Sequence, residues 1–187
     1  FGTQMVSVAV GWQVYSIHHK AFDLGLIGLA EFVPALVLAL PAGQLADRVP
    51  RTLVAAWATL AEAVVAALLL VVTLNGARSL WQFVALAAMT GAGAGIGSPA
   101  ARSLTPEVAP DELLAGAIAL RSLAGQAASI AAPAIGGLLF ALRPEATYSV
   151  GIALFLLSTV LILRIPRSRV ELGEHRLQPS WPRRVVE

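Results

Sequence analysis

Three charged residues stand inside long apolar runs, and they are the side chains best placed to do chemistry. Glu31 lies in the run 24–46, Glu62 in 52–74 and Arg121 in 113–142, where Gln126 follows five residues later. A charge taken out of water needs a hydrated cavity or a partner. If the runs are helices, Glu62 lies about 15 Å from one end of its run, Glu31 about 10 Å and Arg121 about 12 Å from one end of theirs. Lining a central cavity, either carboxylate is able to take up and release a proton, and Arg121 is able to hold an anionic group or pair with a carboxylate. Gln126 adds a polar group within reach of the same space. The alternative is a fixed ion pair or hydrogen-bond network between helices. Around these groups stand Pro34, Pro41 and Pro133, each of which removes a backbone donor and is able to bend a helix. Gly136 and Gly137 follow Pro133, and Gly91, Gly93, Gly95 and Gly97 thin another run. Such residues suit close helix packing and bending.

The elements that must position these groups follow from composition. The chain has 187 residues, of which 57% are hydrophobic and 13% charged, with a mean hydropathy of +0.76. A soluble domain has about 45–50% apolar and about 25% charged residues, so a soluble enzyme, a secreted disulfide domain and a disordered tail are all disfavoured. Cysteine is absent, which removes disulfides, thiolate metal sites and a Cys nucleophile. His18, His19 and His175 have no partners at metal-ligand spacing, and no HExxH or GxSxG motif is present. The reading is therefore no enzyme, no metal and no cofactor.

Six stretches approach the roughly 20 apolar residues that cross a bilayer core of about 30 Å: 1–17, 24–46, 52–74, 80–101, 113–142 and 147–163. Unbroken runs such as Val64–Val72 exclude the alternation of barrel strands. Membrane helices remain, because a lone helix satisfies its own backbone in lipid. At a helix centre a charge costs roughly 2.5–3.5 kcal/mol, which singles out Glu31, Glu62 and Arg121 again. The connecting segments alternate in charge. One side carries Lys20, Arg78 and Arg143; the other carries Arg48, Arg51, Arg102 and six arginines between 164 and 184. Cytoplasmic loops hold the Lys/Arg excess, so the second side is expected in the cytoplasm, together with both chain ends. The net charge of +2 thus reports topology rather than a nucleic-acid partner.

The loop after the second run reads Gly43-Gln44-Leu45-Ala46-Asp47-Arg48-Val49-Pro50-Arg51-Thr52. Gly43 suits close helix approach, Asp47 is able to accept hydrogen bonds at a helix end, and Arg48 and Arg51 suit Asp47 or anionic headgroups. The segment resembles the signature loop of the major facilitator superfamily, G-x-L-A-D-R-x-G-R-[KR], at Gly43, Leu45, Ala46, Asp47, Arg48 and Arg51. Pro50 stands for its second glycine and Thr52 for its last basic residue. The position between helices two and three also agrees. Val8–Tyr15, Leu24–Glu31, Pro99-Ala100, Leu104–Val108, Ala117–Leu120 and Pro133–Leu139 resemble the branch that holds the enterobactin exporter and macrolide efflux proteins. Departures lie in the fourth run, which lacks an arginine many drug–proton antiporters carry, and in the fifth, where Ala119, Ala128 and Ala132 occupy glycine positions.

The resemblance implies an all-α membrane protein, with six transmembrane helices as a 3+3 inverted repeat, one half of a twelve-helix fold. Its implied place is a bacterial plasma membrane. Its implied function is export of a small amphiphilic molecule, drug or siderophore, by proton-coupled alternating access, with the 43–52 loop as a gate latch. The implied partners are that substrate, the lipid bilayer and a missing carboxy-terminal six-helix half. Phe1 opens within an apolar run and Glu187 closes a charged stretch, as in a fragment cut at both ends. Segment 164–187 reads as a basic cytoplasmic loop, with the start of an interfacial helix near Trp181. A lysophospholipid translocator and a non-transporting membrane scaffold are the alternatives.

Overall fold

Runs of Ala, Leu and Val with few charges have one way to satisfy their backbone in lipid, and the chain takes it throughout. The computed structural model describes residues 1–46, 49–76 and 79–165, apart from the side chains of 40, 43–46, 107 and 111. Six helices follow in order: α1 Gly2–His18, α2 Ala21–Ala46, α3 Arg51–Leu74, α4 Leu80–Val108, α5 Leu114–Leu142 and α6 Pro144–Leu163. No strand occurs among the described residues. Five of the helices, α2 to α6, are long and apolar enough to cross a membrane.

The turns follow local chemistry. α1 ends where His19 takes a left-handed conformation at φ 54°, and its N–H donates to the Tyr15 carbonyl at 2.8 Å. His18 Nδ1 then lies 3.7 Å from the Asp23 carboxylate across the α1–α2 turn. Pro50 precedes α3 and its carbonyl accepts from Leu53 and Val54. Gly76 supplies the positive φ after α3. One extended residue, Arg143, separates α5 from α6, and Pro144 opens α6, where a missing N–H costs nothing.

α4 departs from expectation. Its run was expected to end at 101, yet the helix continues through Pro99 and Pro106 to Val108. Its 29 residues span about 44 Å, well beyond the core of a bilayer. The polar stretch after residue 101 is thus a helical extension, followed by a 3-10 turn at Asp111–Leu113.

The packing repeats itself under exchange of α1–α3 with α4–α6. α2 packs on α4 as α5 packs on α1. α3 packs on α4 as α6 packs on α1, and α3 and α6 pack on each other. One pairing lacks its mate among the described residues, since α5 touches α6 while α2 and α3 make no comparable contact. This is the 3+3 inverted repeat of a half-fold. Its core gathers Val10 and Val14 of α1, Leu69 of α3, Phe83 of α4, and Tyr148 and Phe155 of α6. A smaller cluster joins Val54 and Ala55 to Ala100 and Leu104. Burial is uneven: in an apolar 18-residue stretch of each helix, 39% of α3 is buried but only 11% of α2 and of α5.

Candidate functional site

α1 carries a hydroxyl stripe, and the two membrane acids meet it. Thr3 and Ser7 are one turn apart, hence on one face. Thr3 Oγ1 donates to Glu62 Oε1 of α3 at 3.2 Å, and Ser7 Oγ donates to Glu31 Oε2 of α2 at 3.2 Å. Both acids are half-buried. The glycines of α4 pass beside them: a Cβ on Gly91 would strike the Glu31 backbone carbonyl, and one on Gly93 would lie 3.7 Å from Glu62 Cγ. Glu31 also borders a small cavity with Ser7 and Thr90. Two acids from different helices are thus held at neighbouring levels by one helix, each through a neutral hydroxyl.

Toward the far end of α1 lies a second polar knot, almost fully enclosed. Tyr148 Oη donates to Gln13 Oε1 at 2.6 Å, Gln13 Nε2 donates to Thr73 Oγ1 at 3.0 Å, and Thr73 Oγ1 donates to the Leu69 carbonyl at 2.7 Å. Tyr148 is 0% and Gln13 7% exposed. The chain of donors joins α6, α1 and α3 and satisfies each group in turn, as a buried polar network must. Thr59 and Thr159 add a 2.8 Å hydroxyl contact between α3 and α6.

Arg121 stands apart from the acids. Its Nη1 lies 2.9 Å from three acceptors on α4: the Ala101 carbonyl, the Arg102 carbonyl and Thr105 Oγ1. Pro106 has no N–H, so the Arg102 carbonyl four residues earlier has no intrahelical donor. Arg121 supplies one. No carboxylate is among these partners. The level of Ala101 on α4 is about 15 Å from that of Gly91, which separates the guanidinium from Glu31. These bonds, with the packing of Ala100 and Leu104 on α3, support the helical extension past residue 101.

Gln126 is exposed, and its Oε1 accepts only a long 3.4 Å contact from Ser129. Pro34 and Pro133 are half-buried and Pro41 is exposed, and α2 and α5 continue through all three. Gly136 is buried against Met5, where a Cβ would lie 2.8 Å from Cγ, whereas Gly137 has nothing within 4 Å. Of the loop residues, Arg51 opens α3 and is half-buried. Asp47 and Arg48 lie outside the described residues, as do the side chains of Gly43 and Leu45 and the tail 166–187. Sequence reasoning missed Thr3, Ser7, Gln13, Thr73 and Tyr148. A Gln and a Tyr inside apolar runs were the available signals.

The family model of the Major Facilitator Superfamily matches residues 1–187. No curated protein matches the chain. Members of that family are multi-pass membrane transporters and are generally not enzymes. The inverted triplets of apolar helices, and the polar groups held between them, are accordingly those of a membrane transport protein, and the chain belongs to the Major Facilitator Superfamily.

Proposed function

We propose that the chain is the amino-terminal half of a bacterial plasma-membrane exporter of the enterobactin and macrolide efflux branch. It moves a small amphiphilic molecule outward by alternating access, coupled to protons, with both ends of this half in the cytoplasm. The observation that carries the reading is the acid pair, Glu31 and Glu62, tied to adjacent turns of α1 by Ser7 and Thr3. A hydroxyl serves a carboxylate in either protonation state: it donates to the anion and is able to accept from the acid. The pair is therefore able to load and release a proton without leaving a charge unpartnered.

α2 and α5, with 11% of an apolar 18-residue stretch of each buried, offer the faces on which a second six-helix half would sit. Rocking of the two halves then opens the acids to one side or the other. One proton crossing 100 mV supplies about 2.3 kcal/mol. Asp47 and the arginines 48 and 51 act as the latch of one access state. Arg121 acts as a clamp on α4, with exposed Gln126 on the same helix facing the pathway.

The test uses the full-length protein in bacteria stripped of other exporters, with a fluorescent amphiphile as probe. Efflux is expected to collapse with an uncoupler and in Glu62→Gln, and to fall in Asp47→Asn with membrane insertion intact. Wild-type efflux in both variants overturns the assignment of these residues. Lysophospholipid movement without amphiphile efflux establishes the translocator instead, and no transport of either establishes a scaffold.

A further inference from the structure

A groove of about 420 Å³ runs between α3 and α4. It has the size of a small-molecule site, but such sites carry a few placed polar groups. Here the walls are Trp57, Ala58 and Ala61 on α3 against Met89, Ala92 and Gly93 on α4, with Val49 and Val54 at one end. No wall residue offers a hydrogen-bonding side-chain group except the Trp57 indole N–H.

Gly93 sets the depth of this groove. Three of the four glycines in the α4 stripe are pressed on a neighbour: Gly91 on Glu31, Gly95 on Ala35 and Gly97 on Ala58. Gly93 differs, because a Cβ there would meet nothing nearer than 3.7 Å. Close helix approach does not demand a glycine at this position. A Cβ would make ordinary contact with Glu62 Cγ and the Ala58 carbonyl, and with Ala58, Ala61 and Ala92 the glycine keeps the groove walls low.

The length and ends of the groove select the occupant. From Arg51 at the head of α3 to Ala61 is ten residues, or about 15 Å. That is about half of a 30 Å hydrocarbon core, the depth of one leaflet. Arg51 puts a positive charge at the membrane-surface end. Trp57, 68% exposed, lies about 9 Å into the helix, at the depth of the middle of an acyl chain, and its indole covers one wall of the groove. Beyond the groove the outward stripe of α3 stays aliphatic through Val64, Leu68 and Val71, all exposed, as a lipid-facing surface does. We infer that the α3–α4 groove seats one acyl chain of a phospholipid from the leaflet at the Arg51 end, with its phosphate near Arg51. The lipid then fills the groove that Ala58, Ala61, Ala92 and Gly93 leave between the helices and forms part of the α3–α4 packing. This inference rests on the membrane-spanning fold and not on the transport reading.

The test is native mass spectrometry of the full-length protein released from nanodiscs of phosphatidylglycerol and phosphatidylethanolamine. The parent is expected to keep one phospholipid per chain after a delipidating wash. Gly93→Leu fills the groove and is expected to weaken retention roughly tenfold or more, with helix content unchanged. Ala61→Leu, which adds bulk from the exposed opposite wall, repeats the test should Gly93→Leu misfold. A second arm leaves Trp57 as the sole tryptophan and measures quenching by lipids brominated near the middle of the chain. Strong quenching in the parent and weaker quenching in Ala61→Leu is the expected result. A parent that retains no lipid, equal retention in the filled variants, or a Trp57 shielded from brominated lipid by a protein partner overturns the inference.

Discussion

The interfaces α2–α4 and α1–α5 occupy equivalent places in the inverted repeat, yet they are built differently. α2 lies on α4 backbone to backbone: Gly91 faces the Glu31 carbonyl, and a Cβ on Gly95 would sit 2.6 Å from the Ala35 carbonyl. α1 meets α5 through Gly136, where a Cβ would lie 2.8 Å from Met5 Cγ, 3.0 Å from the Met5 carbonyl oxygen and 3.2 Å from its Cα, while Gly116, Gly125 and Gly137 face open space. The architecture is symmetric and the stiffness is not. Backbone carbonyls cannot move aside without shifting a helix, whereas a methionine repacks readily. The first interface is held by two close backbone approaches, at Gly91 and Gly95, and the second by one looser approach at Gly136, shared between the backbone and the side chain of Met5.

Substitutions that add one side chain at a time probe this contrast. Gly91→Leu should have the largest effect, a loss of at least about 3 kcal/mol or no folded protein, read by fluorescence-detected size exclusion after heating in detergent. Gly136→Ala should cost less, about 1–2 kcal/mol, because the Met5 backbone lies no nearer than 3.0 Å and the Met5 side chain is able to yield; the same thermal ramp measures it. Equal losses at the two sites would erase the contrast.

Tyr148→Phe comes next. It removes the donor to Gln13 and should cost about 1 kcal/mol, with loss of the Tyr148 contribution to near-ultraviolet circular dichroism. Gly137→Ala should do the least, leaving stability unchanged or raising it by up to about 1 kcal/mol, since its Cβ meets nothing. A marked loss there would show that α5 is packed more tightly than its open glycines indicate.

Much of this was legible in the sequence, and the rest was hidden for physical reasons. Hydropathy located six helices to within a few residues at most ends, because lipid admits few alternatives. α4 was the exception. Arg102, Ser103, Thr105 and Pro106 have the composition of a loop, and the groups that meet this stretch are distant in sequence: Arg121, 16 to 20 residues on, and Val54 and Ala55 of α3. Glu31 and Glu62 stood out because acids are costly in apolar runs. Their partners did not, because Ser and Thr occur widely in membrane helices and Thr3 is 59 residues from Glu62. Gln13 and Tyr148 are 135 residues apart, a pairing that only the α1–α6 contact reveals. The signature loop was the plainest motif in the chain, and its Asp47 and Arg48 fall outside the described residues.

The central proposal is that α5 faces a water-filled pathway that opens and closes, while the Val64, Leu68 and Val71 stripe of α3 faces lipid. The chain has no cysteine, so single thiols report cleanly on both. Gln126→Cys and Leu68→Cys, in the full-length protein reconstituted in sealed vesicles, are to be labelled with a charged maleimide, with and without a proton gradient. Rapid labelling at position 126 that changes with the gradient, beside an unreactive position 68, is the predicted result. Position 126 as inert as position 68, or reactive at a rate the gradient does not alter, would contradict the account.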